Sequence, residues 1–250
     1  MTKLTPLENR YRSAVEKEKY VKQLFAEIDD HYDFMNRFMS LGMDMSWRRR
    51  AIRAAGFAKN ARLLDMAAGT GDLTISAFKI HPEARLAALD FCTPLLTIAC
   101  KKFSRFNGKY SVEWINGNGL ELPFADNSFD GVITAFSLRN VSDVNQLFAE
   151  FYRVTRSGGK VMSLEMVKPH TRLQKMIFAI HHQRIVPLLG RLISSFPDAY
   201  SYLPLSIENF YTADELSQVI ASQGWKNVSY QPMMMGFIAA HLGTKNKTIH

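Results

Sequence analysis

Two carboxylates that end neighbouring apolar runs, with a stretch of small residues between them, are the most chemically suggestive feature of this chain. The run Arg62-Leu63-Leu64-Asp65-Met66 leads into Ala67-Ala68-Gly69-Thr70-Gly71. Asp72-Leu73-Thr74-Ile75-Ser76-Ala77-Phe78 follows with helical spacing. The pattern predicts a strand, a tight turn and a helix. Only small residues let a turn's backbone approach a ligand, and the helix start offers free N–H groups. A second apolar run, Arg85-Leu86-Ala87-Ala88-Leu89-Asp90, also ends in an acid, roughly 20 residues beyond Gly71.

Two ligand classes fit such an elbow. A dinucleotide requires G-x-G-x-x-G, and Gly69-Thr70-Gly71 begins that pattern, but Thr74 takes the place of its third glycine. Asp65 at the strand end would repel a pyrophosphate. S-adenosylmethionine, with a sulfonium, an ammonium and a ribose but no phosphate, suits it better. Asp65, Ala67, Gly69, Thr70 and Gly71 are therefore the expected elbow contacts. Asp90, with Phe91 beyond it, suits a ribose in either ligand class.

These residues need a sheet to hold them. Ser111 to Ile115 reads as a third strand, entering the loop Asn116-Gly117-Asn118-Gly119. Asn118 suits an adenine edge and Gly119 the ring's approach; an ordinary turn is the alternative. Gly131 to Phe136 reads as a fourth strand and Lys160 to Met166 as a fifth. Thr93-Pro94 and Ser142 read as helix starts, and Ser157-Gly158-Gly159 as a helix stop. Thr212-Ala213-Asp214-Glu215 is a capping box, and residues 225–242 read as a closing hairpin. Strands alternating with helices imply an α/β fold with a mostly parallel sheet.

Four segments follow: an N-terminal helical lid over 1–57, a cofactor-binding core over 58–170, a helical cap over 171–210, and a closing helix and hairpin over 211–244. Trp47-Arg48-Arg49-Arg50 reads as a solvated helix face or a contact for an anionic partner. Residues 171–195 carry an apolar face and a basic one. They suit either a membrane surface or a cap packed on the sheet. His181 and His182 point apart on a helix, which disfavours a shared metal, and no metal site is expected.

The 250 residues are 47% apolar, enough for one sizeable core. No apolar run reaches the ~18 residues of a spanning helix, and the first residues lack a signal peptide's apolar core, so the cytoplasm is expected. Cys92 and Cys100, on one helix, would lie roughly 12 Å apart, too far for a disulfide. The net charge of +8 suits an anionic surface, lipid or nucleic acid. The basic excess concentrates between Arg156 and Arg191, where Glu165 is the only acid.

The order of elements resembles the class I S-adenosylmethionine-dependent methyltransferases. More narrowly, the chain resembles the quinone C-methyltransferases of menaquinone and ubiquinone biosynthesis. The matching pieces include Tyr32-Asp33-Phe34-Met35-Asn36-Arg37, Ser40-Leu41-Gly42, Trp47-Arg48-Arg49, Leu122 to Asp130, Leu138-Arg139-Asn140-Val141, and Tyr200 to Ile207. The resemblance implies a Rossmann-like seven-stranded sheet with its last strand antiparallel. It implies S-adenosyl-L-methionine as cofactor, with Thr70, Asp90, Asn118 and Gly119 in contact. Ala135 stands where some members place a cofactor-contacting serine, Ala68 where the family usually has glycine, and Ser157 where it usually has proline.

The resemblance also places Arg139 and Asn140 at the substrate end. Arg139 would stabilise a quinolate oxygen or polarise a water, and Asn140 would orient a ring oxygen. A salt bridge closing the loop is the other reading of Arg139. Tyr200 and Tyr202 would close the pocket on a lipophilic quinol, with peripheral contact at the inner face of a membrane. A nucleic-acid methyltransferase is the rival enzyme. The chain lacks an N-P-P-Y-type tetrapeptide, so no nucleic acid is expected as partner.

Overall fold

The apolar runs become central strands because helices cover both of their faces. The computed structural model describes residues 42–106, 112–180 and 197–247, together with Arg37 and Ser40. Its strands are β1 (Arg62–Met66), β2 (Arg85–Asp90), β3 (Val112–Asn116), β4 (Phe129–Ala135), β5 (Thr155–Met166), β6 (Lys226–Met233) and β7 (Ile238–Thr244). They form one seven-stranded sheet in the order β3-β2-β1-β4-β5-β7-β6. β1 to β5 are parallel, and β7 runs antiparallel to both β5 and β6. The strand order reverses between β1 and β4, so a crevice opens beyond the carboxyl ends of those two strands.

The described helices are α1 (Asp44–Ala55), α2 (Asp72–Ile80), α3 (Thr93–Ser104), α4 (Val144–Val154), α5 (Arg172–Ile180), α6 (Pro197–Glu208) and α7 (Ala213–Ser222). One core, on the face of α1, α2 and α5, includes Ile52, Leu63, Ile75, Ile133, Met162 and Phe178. The other, on the face of α4 and α7, includes Leu64, Val132, Phe148, Val161, Leu216 and Trp225. Alternate residues of each strand feed the two cores, the signature of a sheet covered on both sides. The last carbonyls of α1 are satisfied across the sheet: Lys160 Nζ donates to Ala55 and Gly56 oxygens at 2.8 Å each.

Several expected boundaries move. Asp143, not Ser142, caps α4, accepting from the Gln146 amide at 3.0 Å. Ser157-Gly158-Gly159 lies inside β5, because α4 already ends at Val154 and the chain turns directly into the strand. Thr93 is the first residue of α3, and Cys92 precedes it without a side-chain cap. The Thr212–Glu215 capping box forms as expected. Cys92 is buried, Cys100 is exposed, and neither forms a disulfide. Residues 1–36 of the expected helical lid and the His181-His182 pair lie outside the described residues.

Candidate active site

The elbow after β1 is pinned to the tip of β2 by backbone groups. The Ala68 amide donates to Leu89 O at 3.0 Å. The Asp90 carboxylate accepts the Gly69 amide on Oδ2 and the Cys92 amide on Oδ1, each at 2.8 Å. A carboxylate has about four acceptor positions, so each oxygen retains one for a further donor. Burial raises the pKa of Asp90, opposed by the N–H groups of Cys92, Gly69 and Phe91. Gly69 takes a left-handed φ of +54°, and a Cβ built there would meet nothing within 4 Å. Gly71 differs: at φ +83°, its Cβ would come 3.0 Å from Ala99 Cβ. Its smallness serves the packing of α3 rather than an approaching ligand.

Asp65 lies under the elbow. Its Oδ2 accepts from Thr74 Oγ1 at 2.5 Å, while its buried Oδ1 has no hydrogen-bond partner among the described residues. Burial pushes its pKa up to about 7, against the Thr74 bond and the nearby Arg48 charge. A partnerless buried carboxylate oxygen is costly unless a cation, a donor or a water completes it. An acidic floor under an open elbow fits a ligand carrying positive charge and hydroxyls, and opposes a diphosphate.

Three cations gather beside the elbow, on Asp44, Thr70 and Asp72. Arg48 is buried rather than solvated, correcting the expectation for the Trp47–Arg50 run, of which only Arg49 and Arg50 are exposed. Its Nε lies 3.7 Å from Asp44 and its guanidinium stacks 5.0 Å from the Phe136 ring centroid. Arg37 joins Asp44 at 3.1 Å to Asp72 at 3.0 Å. Lys102 reaches from α3 to Asp72 at 2.7 Å and to Thr70 Oγ1 at 3.2 Å. Burial works to raise the pKa of Asp72, but Lys102, Arg48 and Arg37 outweigh it and hold it below the ordinary range.

The segment beyond the tip of β4 is assembled differently. β4 stops at Ala135, Phe136 turns left-handed at φ +60°, and Leu138–Asn140 form one 3-10 turn. Arg139 is buried, with Nε donating to Glu165 Oε1 at 2.8 Å and Nη1 to Ser206 Oγ of α6 at 3.1 Å. Glu165, fully buried on β5, also accepts the Leu138 amide on Oε2 and the Met166 amide on Oε1, both at 2.8 Å. The Thr134 hydroxyl donates to Met66 O at 2.8 Å and meets Ser137 Oγ at 2.6 Å, tying the tips of β1 and β4 together.

The parallel strands bring Asp65, Ala67, Gly69, Thr70, Gly71, Asp90, Phe91, Asn118, Gly119, Ala135, Arg139 and Asn140 to one edge of the sheet. Asn118 is exposed and folds its own Oδ1 back onto the Leu120 amide at 2.9 Å. A Cβ at Gly119 would lie 2.9 Å from Met66 Sδ, so this position too is closely packed. Tyr200 and Tyr202 fall on α6, and their side chains lie outside the described residues. Among the described residues no group of His, Cys, Asp and Glu is arranged for a metal ion. Sequence reading missed Glu165, Arg48 and Lys102 as parts of this edge. Glu165 alone left a signal: an acid inside an apolar strand must find partners when buried.

The model of the ubiE/COQ5 methyltransferase family matches residues 13–245. The chain belongs to that family. It is 37% identical over 230 residues to the demethylmenaquinone methyltransferase of Roseiflexus castenholzii, covering 92% of this chain and 95% of that one. The enzyme of the same name from Thermus thermophilus is also 37% identical, covering 89% of this chain and 100% of its own length. The ubiquinone/menaquinone biosynthesis C-methyltransferase UbiE of Geotalea daltonii is 34% identical, covering 92% and 98%. Among solved structures, phosphoethanolamine N-methyltransferase 2 of Haemonchus contortus, in complex with S-adenosyl-L-methionine, superposes with a TM-score of 0.60 at 14% identity, covering 88% of this chain and 61% of that one. The [4+2]-cyclase SpnF superposes at 0.63 with 13% identity, covering 82% and 81%. A scaffold shared with a cyclase leaves the choice of reaction to the site.

Proposed function

We propose that this chain transfers a methyl group from S-adenosylmethionine to a ring carbon of a polyprenylated quinol, converting demethylmenaquinol to menaquinol. The observation that carries the reading is the acidic elbow: a partnerless oxygen of Asp65 beneath the open space at Gly69, with Asp90 clamped alongside. The cofactor supplies a methyl group activated on a positively charged sulfur. Asp90, held by backbone amides, would accept the ribose hydroxyls. Asp65, Ala67, Gly69, Thr70 and Gly71 would hold the methionyl part, and Phe91, Asn118, Gly119 and Ala135 the rest.

The substrate's own oxygen, once its proton has gone to water, raises electron density on the adjacent ring carbon, which gains the methyl group and then gives up its own proton to water to restore the aromatic ring. Arg139 stabilises that oxyanion with the guanidinium edge that Glu165 leaves unused, and Asn140 orients the ring. Arg139 is not a direct base, because a guanidinium holds its protons far above neutral pH. Residues 1–57 act as the lid and 171–210 as the cap, to which the substrate-binding roles of Tyr200 and Tyr202 are assigned, 58–170 as the cofactor core and 211–244 as the closing unit. Arg37 on Asp72 and Ser206 on Arg139 support that division, since each joins an outer segment to the core. The tail of the quinol comes from a bilayer, so the protein works in the cytoplasm against the inner face of the membrane. No described helix is long and apolar enough to cross it.

The relatives named for both pathways make a benzoquinol of the ubiquinone pathway the second substrate to assay. The test is turnover of demethylmenaquinol and of the demethyl benzoquinol in detergent, beside a calorimetric titration with S-adenosylmethionine. Binding with turnover of the naphthoquinol is expected. Binding without turnover of either quinol would sink the substrate reading, and no binding would sink the cofactor site.

A further inference from the structure

The carboxyl edge of the sheet carries an apolar surface that the reaction does not use. On α5, Gln174 and Phe178 face inward. Leu173, Met176 and Ile180, at helical spacing on the outer side, are 53%, 56% and 52% exposed. The tip between β6 and β7 presents Met234 and Met235, 40% and 66% exposed. The two elements are clasped: Gln174 Nε2 donates to Met235 O at 2.9 Å. Both methionines take left-handed backbone, at φ +47° and +57°, where glycine or asparagine would sit at less cost. Met43, at the start of α1, is a further exposed apolar residue.

The register fixes where this surface points. Met166, the last residue of β5, pairs with Ile238, which also pairs with Met233. The methionine tip therefore lies at the same edge as the elbow and Arg139. α5 starts a few residues beyond that edge of β5. The charge carried by α5 itself has one sign: Arg172 and Lys175 are exposed, and the helix holds no acid. Lys168 lies off it, its amide bonded to Tyr211 O at 2.9 Å beside the start of α7 and its charge acting on Glu215.

We propose that Leu173, Met176, Ile180, Met234 and Met235 are the docking face for an anionic lipid bilayer, which sets the mouth of the crevice on the surface that holds the substrate. Apolar side chains enter the acyl boundary while Arg172 and Lys175 meet anionic headgroups. The proposal deepens the quinol reading and rests on it for its purpose, but its test needs no quinol.

The experiment is flotation of the full chain with phosphatidylcholine vesicles, with and without one third phosphatidylglycerol. Wild type is expected to float with the anionic vesicles and to be released by salt. Leu173→Glu/Met176→Glu/Met235→Glu should weaken binding at least about tenfold, since burying even one such side chain is worth that much. Arg172→Gln/Lys175→Gln, a milder surface change, should erase the preference for anionic vesicles. Calorimetric affinity for S-adenosylmethionine should be unchanged in both variants, showing that they fold. Wild type that ignores both vesicles would overturn the proposal, as would variants that float equally well. Sedimentation showing a dimer that the glutamate variant dissolves would assign the face to a second copy instead. If the quinol reading alone is wrong, vesicle binding persists while no quinol turns over. If docking alone is wrong, vesicle-borne quinol turns over equally well in wild type and variants.

Discussion

The two halves of the crevice floor are built on opposite plans. At the elbow, the Thr74 hydroxyl holds Asp65 and backbone N–H groups hold Asp90, and acceptor capacity is left over: among the described residues Asp65 Oδ1 has no partner. Beyond β4, one fully buried carboxylate, Glu165, bonds an arginine and two amides, and α6 adds Ser206 to the same arginine. The first half is a set of open acceptors, ready for a ligand with cationic and hydroxyl groups. The second is an electrostatically closed frame in which a charge was placed in the core and then neutralised. On the proposed function, a substrate would read the frame through the edge of Arg139 that Glu165 and Ser206 leave unused.

The closed half should break most severely. Glu165→Ala leaves the Arg139 charge and two amides unpaired in the core, and should cost about 3–5 kcal/mol in a urea melt. Arg139→Ala should cost a similar amount by stranding Glu165. The double variant Arg139→Met/Glu165→Leu should cost much less than the sum, since neither charge is then stranded. Turnover of demethylmenaquinol in that double variant separates the readings of Arg139. A folded but inactive protein assigns it to the reaction, and a folded, active one leaves it only the salt-bridge role.

The same contrast explains what could be read from the amino acids alone. The elbow was legible because all its parts lie within a few residues of each other, and small residues after an apolar run have few other uses. The parallel strands and the closing hairpin were legible from the apolar runs, while the seven-strand count and the antiparallel last strand came with the family resemblance. Helix starts were less so: Ser142 and Asp143 are adjacent and both can cap, and only the geometry selects Asp143. The frame around Arg139 depends on partners from β5 and α6, distant in sequence, and spacing carries no trace of them. Arg48 misled for a related reason: three consecutive arginines suggest solvent, yet one of any three helical neighbours can face inward.

Asp65 gives the next largest effect, with the opposite dependence on a partner. Its carboxyl has an ordinary pKa of 3.8 unfolded and about 7 folded. The folded protein thus holds this proton more tightly. The associated stability is complete below about pH 4 and is lost as pH rises through about 7, amounting to about 4 kcal/mol over the window. Asp65→Asn should remove that slope, seen by comparing urea midpoints of the two proteins between pH 5 and 8. If the open oxygen receives the cationic part of S-adenosylmethionine, wild-type affinity should rise with pH through about 7 and the variant's should stay flat. A pH-independent wild-type affinity would place Asp65 outside the ligand's reach.

Within the open half, two glycines that look alike should behave differently. Gly71→Ala combines a φ of +83° with a Cβ 3.0 Å from Ala99, and should cost about 2 kcal/mol of stability. Gly69→Ala meets open space and should cost about 1 kcal/mol, from its left-handed backbone alone. The ligand should reverse the ranking, because a methyl group at Gly69 projects into the space the cofactor needs. A calorimetric Kd for S-adenosylmethionine that worsens more for Gly71→Ala than for Gly69→Ala would mean that the elbow is not the contact surface.

The smallest effect compares the two strand tips directly. Ala67 ends the β1 side at φ +57° and Phe136 ends the β4 side at φ +60°, both in backbone that L-residues rarely adopt. Ala67→Gly removes that strain and should raise stability by about 0.5–1 kcal/mol. Phe136→Gly relieves the same strain but deletes the ring on which Arg48 stacks, and should lower stability by about 1–2 kcal/mol net. The two changes therefore have opposite signs at tips with the same conformation. Strain tolerated at the Phe136 tip is offset by a contact one can name; at Ala67 no side chain larger than a methyl offsets it. If Ala67→Gly melts later but methylates more slowly, the left-handed turn is maintained for the shape it gives the elbow. If it melts later with unchanged turnover, the turn is only a way into α2, and the cofactor end keeps its geometry through Asp90 alone.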